Sequence, residues 1–141
     1  MNKRLKAIAI GVFFIVQASA FAHEGEKHTK GHKNSQMDKL HKMMPMYTQA
    51  QSKIDEALIN GDTATVKMET GKILATIPDL KKATPHKNHK QTATFRKLAS
   101  AFGGDIKKTA TLVKTGDLAG AKDAFQFAKL RCNECHAKFR D

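Results

Sequence analysis

The sequence has no tryptophan, one tyrosine, three prolines and two cysteines, and only 13 acidic residues against 25 basic ones. Nine glycines and three prolines exclude a fibrous or low-complexity chain, and 141 residues suffice for one compact core. From Met37 onward no run of alternating β-branched residues occurs, so nothing supports a sheet. No phosphate-cradling glycine motif and no nucleophile and base pairing stands out, so an enzyme is not expected. The basic excess, a formal charge of +12, favours acidic partner surfaces. Its lysines are spread along the whole chain and are not interleaved with aromatics, which argues against nucleic acid as the partner.

Long apolar runs are also missing, with one short exception at the start. MNKRLK is a basic leader, AIAIGVFFIV is too short to span a bilayer, and QASAFA offers small-residue cleavage signals after Ala20 or Ala22. Residues 1–22 therefore read as a secretory signal peptide, and no stable membrane insertion is expected once it is removed. Export puts the mature chain in an oxidising compartment, the periplasm of a bacterial cell, where free thiols are usually paired, ligated or otherwise used. Residues 23–36 have almost nothing to bury, and they read as a flexible His-rich leader. Its His23, His28 and His32 could capture a transition metal, although their spacing matches no closed site.

The remainder, 37–141, has helical periodicity throughout. Met37, Leu40, Met44, Tyr47, Gln51, Ile54 and Leu58 form one stripe that closes at Asn60-Gly61. A second stripe holds Val66, Thr70, Ile73, Ile77 and Leu80, with Pro78 expected to end its regular hydrogen bonding nearby. KKATPHKNHK is a polar connection in which His86 and His89 read as solvated loop residues. Phe95, Leu98, Phe102, Ile106, Thr109 and Val113 line a third helix, whose Gly103-Gly104 pair is expected to loosen or kink its middle. The fourth carries Leu118, Ala121, Phe125, Ala128, Cys132, Cys135 and Phe139. In both tight joints, INGD and KTGD, a glycine takes the left-handed turn and Asp62 or Asp117 caps the next helix. Joints that short make antiparallel neighbours, so the fold class is all-α, an antiparallel up-down four-helix bundle.

Both cysteines lie on the last helix, in RCNECHAKFRD. Cys132 and Cys135 are three apart and His136 is four beyond Cys132, so one flat object can touch all three. C-x-x-C-H is the attachment signature of haem c: two thiols add across two vinyl groups, and the histidine binds the iron. Three rivals compete with it. Structural zinc needs about four ligands and the chain has no second cysteine pair; a thioredoxin-like redox pair needs a βαβ setting; a disulfide across C-x-x-C strains a helix and leaves His136 without a role.

GDLAGAKDAFQFAKLRCNECHAKFR resembles the final helix of the class II c-type cytochromes, which include cytochrome c′. The resemblance is specific in this helix and only architectural across 37–114. It implies one covalent haem c on the C-terminal helix, with Cys132 and Cys135 as thioether sites, His136 as axial ligand, Phe139 in an aromatic position and Arg140 as the basic residue near the imidazole. It further implies that the first helix covers the other side of the iron. Four methionines sit there, Met37, Met43, Met44 and Met46; only Met37 and Met44 lie centrally on the stripe, and counting back from Gly61 puts Met44 where the family has its distal residue. Met44 is the expected sixth ligand, which would make the protein a one-electron carrier. An open iron would instead bind nitric oxide or carbon monoxide, and His41 is a third candidate ligand. Pro45 either begins the ordered helix or interrupts a longer one. Expected partners are a redox protein with an acidic surface and a second copy of the chain, paired through the first two helices as the resemblance implies.

Overall fold

The computed structural model describes residues 35–140, so the signal peptide and nearly all of the leader lie outside the described residues. Within them the chain forms α1 (Ser35–Asn60), α2 (Thr63–Lys82), α3 (Thr92–Lys114) and α4 (Leu118–Phe139), and no strand. Side-chain pairs fix how the helices run. Lys39 meets Asp79 at 3.2 Å and Lys53 meets Glu69 at 3.5 Å, so rising numbers on α1 face falling numbers on α2. Phe95 packs edge-on against Phe139, and Arg131 reaches Asp105, giving α3 and α4 the same antiparallel register. Lys129 on Asp55 and Gln51 on Cys132 do likewise for α4 and α1. The fold is thus an up-down four-helix bundle, as the sequence indicates.

The two tight joints are built alike. Gly61 and Gly116 have φ of +72° and +85°, a region that glycine enters without steric penalty. Beyond each, the Asp62 amide reaches back to the Ala57 carbonyl at 2.8 Å and the Asp117 amide to that of Leu112 at 3.0 Å, the long bond of a Schellman turn. The same aspartates then cap the following helices, Asp62 accepting from the amides of Ala64 and Thr65, Asp117 from that of Gly120. Near these joints the core is dense: Ile54, Val66, Ile73, Ile106, Ala121 and Phe125 have no exposed surface. Buried Thr70 and Thr109 return their hydroxyls to the carbonyls of Val66 and Asp105, so neither is left unsatisfied.

Four expectations need correction or choice. Pro78 does not end α2, which continues to Lys82; the exposed ring leaves the Leu74 carbonyl without its helical donor, while buried Leu80 holds the last turn against the core. Gly103 marks close packing and not a loose middle: α3 is continuous, and a Cβ at Gly103 would come within 3.0 Å of Ile77 on α2. Pro45 is interior to α1, so the carbonyl of His41 loses its partner there. Met43, not Met44, is the methionine sunk in the core; the buried arc is wider than a single stripe, and Met43 sulfur lies 3.8 Å from the Tyr47 hydroxyl. Among the described residues no helix is long and apolar enough to cross a membrane.

Candidate functional site

The four helices do not pack equally. α1 packs along α2, α2 along α3 and α3 along α4, whereas α1 and α4 meet only sparsely. At the end of the bundle away from the tight joints this leaves a cavity of about 620 Å³, within the range of roughly 300–1,000 Å³ typical of cofactor and ligand pockets. Leu40, His41, Met44, Pro45, Tyr47, Thr48 and Gln51 of α1 form one wall; Arg131, Cys132, Asn133, Cys135, His136 and Phe139 of α4 form another, with Arg140 just beyond. Phe95, Leu98, Ala99 and Phe102 of α3 supply an apolar back. All five residues singled out for cofactor binding, Cys132, Cys135, His136, Met44 and Arg140, therefore border one space.

Helical spacing explains why. Met44, Tyr47 and Gln51 recur at steps of three and four on α1, as do Cys132, Cys135 and Phe139 on α4. Met44, Cys132, Cys135 and His136 are all half-buried, a degree of cover that suits groups facing a cavity. Gln51 donates its side-chain amide to Cys132 Sγ at 3.2 Å, bridging the two walls. The Tyr47 and Thr76 hydroxyls share a hydrogen bond at 2.8 Å, and the Thr76 hydroxyl also lies 2.8 Å from the Ile73 carbonyl. Burial raises the Tyr47 pKa, and the ring rests against Phe102 with centroids 5.4 Å apart. Tyr47 is a structural member of the wall.

Electrostatics at the motif limits what the thiols and imidazole do unaided. Both thiols are unbridged; burial raises that of Cys132 despite the Gln51 hydrogen bond, and burial together with Cys132 pushes Cys135 up to about 11. Thiols so protonated at neutral pH are poor nucleophiles, which disfavours a thioredoxin-like role. Burial, then the nearby Arg140 cation, lowers the His136 pKa and keeps the ring neutral, the form that binds metal. Among the described residues no group of three or more His, Cys, Asp or Glu side chains converges, so structural zinc has no site there. A cavity of about 620 Å³ with two thiols, one neutral imidazole and one thioether on its border fits haem c in size and donor chemistry.

Residues 79–140 match the family model described as Cytochrome C′. This match, which takes in less than half of the chain, supports a class II c-type cytochrome of the cytochrome c′ family. The matched region runs from the end of α2 through α4 and contains Cys132, Cys135 and His136. The likeness supports a c-type cytochrome with covalently bound haem c, an electron carrier or gas binder. Comparisons with curated proteins and with solved structures give no match.

Periodicity alone missed part of the site. The α3 wall read as ordinary core, and His86 read as a solvated loop residue. In the structure His86 is exposed in the loop, as expected, but its Nε2 lies 3.0 Å from that of His41, and both residues border the cavity. His89 is exposed and does not border it. Only buried Pro85, one residue earlier, hints that this loop turns inward.

Proposed function

We propose that the protein is an exported monohaem c-type cytochrome that carries one electron, in which Cys132 and Cys135 would hold haem c covalently and His136 and Met44 would bind its iron. The observation that supports this most is the convergence of Met44 from α1 with Cys132, Cys135 and His136 from α4 on one cavity. Bound there, haem c supplies the iron couple that gains and loses the electron. The chain's own contributions are more specific. Cys132 and Cys135 fix position, and the neutral ring of His136 presents a nitrogen lone pair. Met44 would add a soft thioether, a ligand that favours reduced iron and a higher potential. Leu40, Leu98 and Phe102 keep water away, and Arg140 adds positive charge beside His136.

Partners follow from surface chemistry. The basic excess suits a redox protein with an acidic surface, attracted at low salt and less so as salt screens it. Ile59 on α1 and Met68 on α2 are largely exposed and offer apolar area to a second copy. The periplasm is the proposed compartment.

The test is the absorption spectrum of the purified protein, oxidised, reduced, and reduced under carbon monoxide. Methionine ligation gives a low-spin spectrum with a weak far-red ferric band, unchanged by carbon monoxide. Met44→Ala abolishes that band. A high-spin spectrum in the unmutated protein that converts on adding carbon monoxide would instead make it a five-coordinate gas binder.

A further inference from the structure

The His41 and His86 pair is a contact between distant parts of the chain. His41 projects from the interior of α1; His86 belongs to the connection between α2 and α3, and their Nε2 atoms lie 3.0 Å apart. The planes are inclined by only 20°, and the ring centroids are farther apart, at 5.0 Å, so the nitrogen edges are what approach each other. Both sides of the contact are anchored. Beyond His86 the Lys87 amide donates to the Phe139 carbonyl at 3.1 Å, and the Asn88 side chain donates to that of Lys138 at 2.7 Å. The loop therefore ties the end of α4 to α1 along the border of the cavity.

We propose that His41 and His86 form a second metal site, for a divalent transition ion such as Zn(II) or Cu(II). A nitrogen to zinc bond is about 2.0–2.1 Å, so two imidazoles on one ion lie about 2.9 Å apart at a right angle and about 3.4 Å apart at the tetrahedral angle. The observed 3.0 Å falls between these. With both rings protonated at Nδ1, both Nε2 lone pairs face the ion and it replaces the single shared proton of an N–H···N bond. Among the described residues no third His, Cys, Asp or Glu side chain joins the pair, so these two imidazoles are the donors on which the proposal stands. Two neutral nitrogens in a basic surface exclude calcium and magnesium, which need anionic oxygen, and select ions that bind imidazole strongly. Such an ion would lock the loop onto α1. This inference does not depend on whether Met44 binds iron.

The experiment uses the full-length haem-loaded protein with His23, His28 and His32 changed to alanine, so that the leader does not compete. Calorimetric titration with Zn(II) is expected to give one site, weakened at least about tenfold by His41→Ala and separately by His86→Ala, since even indirect supports of a metal ligand are worth about that much. In the unsubstituted protein, Zn(II) should shield His41 and His86, but not His89, from an imidazole-acylating reagent mapped by mass spectrometry; this readout survives if a variant fails to fold. Absence of Zn(II) binding, retention of full affinity in either variant, or failure to shield both rings would leave the pair as a hydrogen bond only and overturn the proposal.

Discussion

The two ends of this bundle are built on opposite principles. At the joint end, short glycine turns hold helix termini together, and residues such as Phe125 and Ile106 are sealed from solvent. At the other end α1 and α4 part, half-buried Met44, Gln51, Cys132 and Cys135 face a cavity, and Pro85 and His86 of a longer connection border it. One end invests its apolar side chains in each other, and the other leaves them facing a space shaped for a guest. The difference teaches where stability and function reside: the joint end holds the helices so that the cavity end can remain open.

Phe125→Ala strikes the sealed end hardest and should destabilise the haem-loaded protein by about 3–5 kcal/mol, because a large side chain leaves a void among rigid neighbours. Denaturant unfolding followed by circular dichroism measures it. Leu98→Ala, at the cavity border, should lose clearly less; equal losses would break the contrast between the ends. Gly103→Ala sharpens it from the midpoint, where the new methyl meets Ile77 and should destabilise by about 1–3 kcal/mol. In an Ile77→Ala background, which removes the three carbons the methyl meets, Gly103→Ala should destabilise less. Asp117→Ala removes one cap and should lose about 1 kcal/mol with the absorption spectrum unchanged, since the joint lies at the far end from the cavity.

The smallest effect is a pH dependence on the bundle's flank. Glu69, nearly inaccessible, is held below the usual carboxylate range by its 2.8 Å hydrogen bond from Lys72, against the opposing effect of burial and with help from Lys53. Its folded pKa is depressed, so its contribution is complete above the ordinary glutamate value and disappears as pH falls through the folded one. Glu69→Gln should be less stable than the unmutated protein at neutral pH, and the gap should close in acid. Thermal melts at several pH values read this out; a gap that persists in acid would assign Glu69 a packing role alone.

What the sequence discloses and what it conceals follow the range of the interactions involved. Helix joints at Asn60-Gly61 and Thr115-Gly116 were legible because capping and left-handed turns are local chemistry. Cys132, Cys135 and His136 were legible because one helix turn brings them together. Met44 was separable from Met43 only by phase, and the structure agrees on the cavity face while giving Met43 the deeper position. His86 was hidden because its partner, His41, stands on another element, and no periodicity spans a loop. Gly103 was misread for the same reason: its close neighbour, Ile77, belongs to α2. Pro78 was given too much weight because packing of the last turn overrides a single missing hydrogen bond.

The central claim is that the open end is built to hold one haem through Cys132 and Cys135. The most direct test is the intact mass of the purified protein under denaturing, reducing conditions, followed by alkylation of any free thiol. The account predicts the mature chain plus one haem, with neither cysteine alkylated and the added mass on the peptide containing Cys132, Cys135 and His136. A chain of unmodified mass that takes up two alkyl groups would contradict it.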